Sequence, residues 1–240
     1  MTFLLVARRD LSSYLSGWYG PIIVALVVFI WGLLYNFVAL GSGPRYSADV
    51  LETFFMFGGY ATGTTAWLMS MRTIAEEKQT RTELVLATSP IAEWQIVLGK
   101  YLAVMGMMAV FLACTLHMPL LIFVHGKVGW DQIAIGYLGM FLYGGAVSAI
   151  GVFASSLVRS QLLAAVISLA MIAFFNLIWL GAPIIGGAMG ELFAYSAMFD
   201  KHYQPFQKGT LGLPHLVYYV TFAWVFLLLA TRSLERRRWR

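Results

Sequence analysis

Glu76 and Glu77 stand side by side in the stretch RTIAEEKQTRTE, with Arg72 ahead of them and Lys78, Arg81 and Glu83 behind. Two adjacent carboxylates followed by bases can serve an enzyme or present charge to a partner. Enzyme partners for them are scarce. The histidines are His117, His125, His202 and His215, and none pairs with another at the HxxxH spacing of a zinc site. No GxxxxGK[ST] run occurs: Gly99-Lys100-Tyr101 and Gly126-Lys127-Val128 both lack the hydroxyl that would hold magnesium. No GxSxG nucleophile elbow occurs either. Catalytic and metal roles are therefore not expected of this chain, and any ATP-driven work would draw its energy from another one.

The elements that position this stretch are apolar. Of 240 residues, 60% are hydrophobic and 11% charged, against about 25% charged in an ordinary soluble domain. Mean hydropathy is +0.77. This composition predicts an integral membrane protein, all-α, with the whole of 1–240 as a single domain. Runs without charge predict six spans, at about 20–40, 54–71, 100–124, 133–158, 162–179 and 216–231, with Gly181-Ala182-Pro183 breaking the fifth. The run from Pro21 to Leu40 exceeds the roughly 7–15 residues of a signal-peptide core, so it is expected to be retained. No Asp, Glu or Arg falls near the middle of a predicted span, and His117 is expected to pack rather than relay protons. Cys114 is alone and is expected to be a buried thiol.

Six spans put both termini on one side. With the termini inside, twelve Lys and Arg lie on inner segments and four (Arg45, Lys127, Lys201 and Lys208) on outer ones. The positive-inside rule then places both termini and the Glu76–Glu77 segment in the cytoplasm of a plasma (inner) membrane protein. The net charge of +5 thus reports orientation rather than nucleic-acid binding. Before the first span, Leu4, Ala7, Leu11, Leu15 and Trp18 recur at helical spacing opposite Arg8 and Arg9, predicting an amphipathic helix over 1–19 in the lipid interface. Residues 72–90 are rich in helix formers and stop at Pro90, so a charged helix is expected between spans two and three. The apolar stretch 184–214 is too short for two spans. Two readings stay open for it, a re-entrant element and an ordinary outer loop.

The run from Glu76 to Lys100 resembles the signature of ABC-2 type transporter permeases. Glu76, Glu77, Lys78, Thr82, Glu83, Leu84, Thr88, Pro90, Ile91, Val97, Gly99 and Lys100 match it, while Arg81 stands where the family usually has glycine. The tail, with His202, Phe206 and Gly209 before the sixth span, resembles the gliding-motility/NosY-like branch. The resemblance implies a permease of an ATP-driven exporter whose helix 72–90 is the coupling helix. Glu76, Glu77, Lys78 and Glu83 would contact a cytoplasmic ABC ATPase subunit, with Arg8 and Arg9 nearby. Pro90, Gly99 and Lys100 read as structural: a helix stop, a close-packing site and a snorkelling cation. ATP and Mg would be bound by two such ATPase subunits, not by this chain. A second permease copy or paralogue, an extracytoplasmic accessory protein and membrane lipid complete the implied partners. The cargo is unidentified, and a lipidic or amphipathic one suits the many Tyr, Trp and Met.

Two other functions compete. A membrane scaffold anchoring an ATPase or motility complex would share the coupling helix without a translocation path. Glu76-Glu77-x-x-x-Arg81 also spells the first motif of CPBP-type intramembrane proteases, but no histidine has the Phe four residues before it, or the Asn or Asp four after, that those enzymes need.

Overall fold

The computed structural model describes residues 2–41, 46–80 and 91–238, and every regular element among them is helical. The elements are α1 (Thr2–Ser16), α2 (Tyr19–Leu34, continued by a π-turn Tyr35–Leu40), α3 (Ser47–Ser70), α4 (Ala75–Gln79), α5 (Glu93–Thr115) and α6 (His117–His125). They continue with α7 (Trp130–Leu157), α8 (Gln161–Leu177, then a 3₁₀ turn Ile178–Gly181), α9 (Ala182–Ile185) and α10 (Gly187–Ser196). A π-turn Met198–Tyr203, α11 (Gln204–Gln207) and α12 (Leu213–Arg238) complete the chain.

Among the described residues, five helical stretches are long and apolar enough to cross a membrane: Tyr19–Val38, Glu93–Val124, Trp130–Leu157, Gln161–Ile185 and Leu213–Arg236. The chain is thus an integral membrane protein. The second expected span corresponds to α3, which begins at Ser47 rather than Phe54. Its 24 residues would reach about 36 Å, but Asp49, Glu52, four threonines and three glycines make it less apolar than the others. Its position explains that composition. Phe54, Phe55, Thr62, Thr65, Ala66 and Met69 are fully buried, so much of α3 faces protein.

The core forms around α7, which packs on α3, α5, α8 and α12. Small residues let these helices approach. A Cβ on Gly136 would overlap the Phe55 ring, one on Gly151 would overlap Ser70 Oγ, and one on Gly144 would lie 2.9 Å from Thr62 Cγ2. Aromatic rings fill the remaining space, with Trp31 stacked on Phe54 at 4.7 Å and Phe54 edge-on to Phe55 at 5.2 Å.

Several details depart from expectation. The helix predicted over 100–124 starts at Glu93 and breaks at Leu116 into α5 and α6. Pro119 cannot donate a bond to the carbonyl four residues back, which accounts for the break. Cys114 is exposed on the bundle surface rather than buried. Gly181-Ala182-Pro183 does not end the fifth run; Pro183 sits in the first turn of α9, where its missing N–H costs nothing, and the chain turns only at Gly186 and Gly187, both at positive φ. In α1 the packed side is Val6 with the partly buried Phe3, Ala7, Asp10, Leu11 and Tyr14, whereas Leu4, Leu15 and Trp18 face outward. The helix has two apolar faces, and the inner one is dictated by α5: Val6 and Leu11 ride over Gly99 and Gly106.

Candidate functional site

Glu76, Glu77 and Lys78 lie on α4, a single helical turn in the connector between α3 and α5. Residues 71–74 are turns, so the helix starts at Ala75 rather than Arg72. Its start is set by α7: Ser155 Oγ accepts the N–H groups of Ile74 (2.9 Å) and Ala75 (2.7 Å), two donors that a helix N-terminus leaves unsatisfied. Ile74 is buried against Val97, Val152 and Ala230. Residues 81–90, including Glu83 of the predicted set and Pro90, the expected helix stop, lie outside the described residues.

The predicted site residues occupy different layers. Lys78 points inward: it is 4% exposed and its ammonium donates to the Ser156 carbonyl at 2.5 Å. That carbonyl also accepts from Ser233 Oγ at 3.2 Å, so α4, α7 and α12 meet at one point. Glu76 is turned outward and pairs with Arg72, whose guanidinium lies 3.9 Å above the Tyr19 ring. Arg8 is exposed on the far side of α1, beside Leu11, Ser12 and Leu15.

Glu77 joins a cluster that the sequence does not announce. Its Oε1 lies 2.8 Å from Lys100 Nζ and 2.9 Å from Arg9 Nη2. Asp10 completes the square, 3.2 Å from Lys100 Nζ and 2.7 Å from Arg9 Nη2. Two cations and two carboxylates neutralise one another, which is the condition for placing charges in a site of low water content. Lys100 therefore does not snorkel; its side chain is 3% exposed. Beside the cluster opens a cleft of about 670 Å³ between α1, the start of α2 and the α3–α4 turn, lined by Arg9, Asp10, Tyr14, Arg72, Glu76 and Glu77 among others. Burial, with Asp10 close by, pushes the Tyr14 phenol up, so it remains a neutral hydrogen-bonding wall. The cleft presents charge of both signs without a nucleophile–base pair.

The opposite end of the bundle is capped by residues 197–207. Tyr203 is fully buried and donates to the Phe55 carbonyl at 2.7 Å, and Tyr219 donates to the Met198 carbonyl at 2.7 Å. Phe206 is fully buried over Gly139. Gly209 turns at φ +72 against Gln132, a conformation for which glycine is the suited residue. His202 and His215, thirteen residues apart, have Nδ1 atoms 2.9 Å from each other, and His202 Nε2 lies 2.8 Å from the Tyr195 carbonyl. A carbonyl only accepts, so His202 carries its proton on Nε2 and His215 Nδ1–H donates to His202 Nδ1. Among the described residues no three of His, Cys, Asp and Glu come together as a metal site.

That pair gives a pH dependence. Desolvation, with the nearby His215 and Lys201 opposing a further positive charge, lowers the His202 pKa from 6.5 to about 4. The neutral form is thus the native one, while an unfolded His202 would take a proton near 6.5. Stability should be flat above about pH 7 and fall as pH drops from about 6.5 towards about 4. Melting temperatures across that range check this, and His202→Asn should remove most of the slope.

These features define a polytopic helical membrane protein whose charged connector is built into the helices around it. A family model for the ABC-2 family transporter protein matches residues 64–231, more than half of the chain and all of the connector. The chain belongs to the ABC-2 family, the permease component of ABC transporters, which works with an ATPase subunit. No curated protein matches it.

Proposed function

We propose that this protein is the permease subunit of an ATP-driven ABC exporter, with the connector from Arg72 onward as its coupling helix. The observation that carries this reading is the anchoring of α4. Ser155, Lys78 and Glu77 tie it to α7 and to the α1–α5 pair, while Glu76 and Gln79 are left towards solvent. A surface held so firmly from behind can receive a push and pass it on. Contacts to the ATPase are assigned to Glu76, the outer edge of Glu77, Arg9, Arg8 and Glu83, with Lys78 holding α4 in place. Charged groups at such a rim set register and association rate.

In this reading α3 is the second of six spans; its buried position supports the assignment, because a span shielded by neighbours tolerates Thr and Gly. The twelve-to-four distribution of Lys and Arg favours cytoplasmic termini. Outward-facing Leu4, Leu15 and Trp18 would then dip into the inner lipid interface. Residues 184–214 would form a re-entrant cap at the outer mouth, supported by the burial of Tyr203 and Phe206. Two permease chains would form the transporter, with two ATPase subunits holding ATP and Mg. His202, Phe206 and Gly209 support placement in the gliding-motility/NosY-like branch.

The test is purification of the chain from its native membrane in mild detergent. A stoichiometric ABC-type ATPase should accompany it, and Glu76→Lys should weaken that association about tenfold or more without preventing membrane insertion. A stable complex lacking such an ATPase would overturn the proposal in favour of the scaffold.

A further inference from the structure

We infer that Lys100 is the positioning residue that locks the interfacial helix α1 to the connector helix α4, so that the two move as one body when the connector is pushed. The inference rests on the coupling role proposed above and adds a route by which force leaves α4.

The geometry is specific. An ammonium has three N–H donors and no acceptor. Lys100 spends them on three separate pieces of chain: Glu77 of α4 at 2.8 Å, Asp10 of α1 at 3.2 Å and the Thr73 carbonyl of the turn after α3 at 2.8 Å. Lys100 itself belongs to α5, so one side chain joins four elements. Arg9 closes the ring from the outer side by bonding both carboxylates. The approach of α1 that makes this possible depends on the neighbouring residue: a Cβ on Gly99 would lie 2.8 Å from the Phe3 carbonyl oxygen and 2.8 Å from Val6 Cβ. A lysine that only anchored a span in the lipid interface would reach for water or lipid phosphate. This one is 3% exposed and spends its ammonium on protein groups. Without it, Asp10 and Glu77 would lose the buried cation they share, and the repulsion between the two carboxylates, still bridged by the half-exposed Arg9, would be less fully offset.

Spin labels at Ser12→Cys on α1 and Gln79→Cys on α4, both exposed positions, read the joint directly after Cys114→Ala clears the background. Distances are measured in the purified native complex with and without ATP and Mg. With Lys100 present, one narrow distance is expected, the same in both conditions. In Lys100→Met the narrow population should be lost, and the distance should change with ATP, because α1, no longer joined to α4, ceases to keep step with it. A residue that merely stabilised the fold would broaden both conditions equally, and that result overturns the inference. So does a Lys100→Met distribution that superimposes on the original, or an original pair that already moves with ATP. Should Lys100→Met fail to fold, Asp10→Asn removes only the α1 arm and is expected to give the same ATP-dependent shift at smaller amplitude; its absence overturns the joint. The underlying function is scored separately. If no ATPase accompanies the unlabelled chain, the coupling role fails, whereas an ATP-free distance that still depends on Lys100 keeps the lock and an unchanged one removes it.

Discussion

Tyr203→Ala should lower stability by about 3–5 kcal/mol, and Tyr203→Phe by only about 0.5–1.5 kcal/mol. The difference separates two contributions of one side chain. The ring is fully buried, 4.9 Å from Phe199 and 5.5 Å from Tyr143 by ring centroids, and it lies over Gly59, where a Cβ has no room. Its removal leaves a cavity that two aromatic neighbours and the helices behind them cannot fully close. The hydroxyl makes a single bond to the Phe55 carbonyl, and a helical carbonyl that loses a side-chain donor keeps its backbone partner, so the Phe variant costs little. Unfolding in one detergent, followed by loss of helical signal, measures both variants. Equal costs would mean that residues 197–207 are not seated in the bundle. In the Ala variant, impermeant reagents should also reach that end of the bundle more readily, because His202 and Phe206 are held by the same seat.

Local signals were legible and cross-chain ones were not. Length and missing charge predict the five apolar spans closely, because a membrane helix is selected by a property of consecutive residues. α3 was legible over 54–71, but not its start at Ser47 nor the reason for its Thr and Gly content, which answers to neighbours such as Gly136 and Gly144 on a helix 70 or more residues later. The periodicity of α1 was visible, yet the choice of face was not, since Leu4 and Val6 are equally apolar and only Gly99 and Gly106 decide which one packs. Lys100 reads as a snorkelling cation because it starts an apolar run. Its partners Asp10 and Glu77 are 90 and 23 residues away, beyond any window of spacing. The His202–His215 contact is hidden for a similar reason: a turn of the chain at Gly209 brings together two rings whose spacing fits no motif.

Gly151→Ala should destabilise the protein by about 1–3 kcal/mol or more and should be rescued by removing the opposing side chain. The new Cβ would overlap Ser70 Oγ and lie 2.6 Å from Ser70 Cβ, inside any real contact distance. Ser70 cannot simply turn away, because its Cβ is fixed by the backbone and its hydroxyl is bonded to the Ala66 carbonyl at 2.6 Å. Helices α3 and α7 must therefore separate. Ser70→Gly deletes both clashing atoms and leaves the Ser70 carbonyl carbon, at 3.4 Å, as the nearest. The cost of a glycine in α3 and the gain of an alanine in α7 are each roughly 0.5–1 kcal/mol and nearly offset. Ser70→Gly/Gly151→Ala should thus return to within about 1 kcal/mol of the original, a non-additivity that neither single change can mimic. The consequence reaches the connector, because Ser155 lies one turn further along α7 and supplies the acceptor for the Ile74 and Ala75 N–H groups. When α7 is pushed off α3, α4 loses the support behind its first turn. In the proposed transporter, Gly151→Ala should therefore weaken retention of the ATPase in the pull-down although it touches no docking residue, and the double variant should restore it. Restored stability without restored retention would mean that the backing of α4 by Ser155 is not what holds the connector ready for its partner.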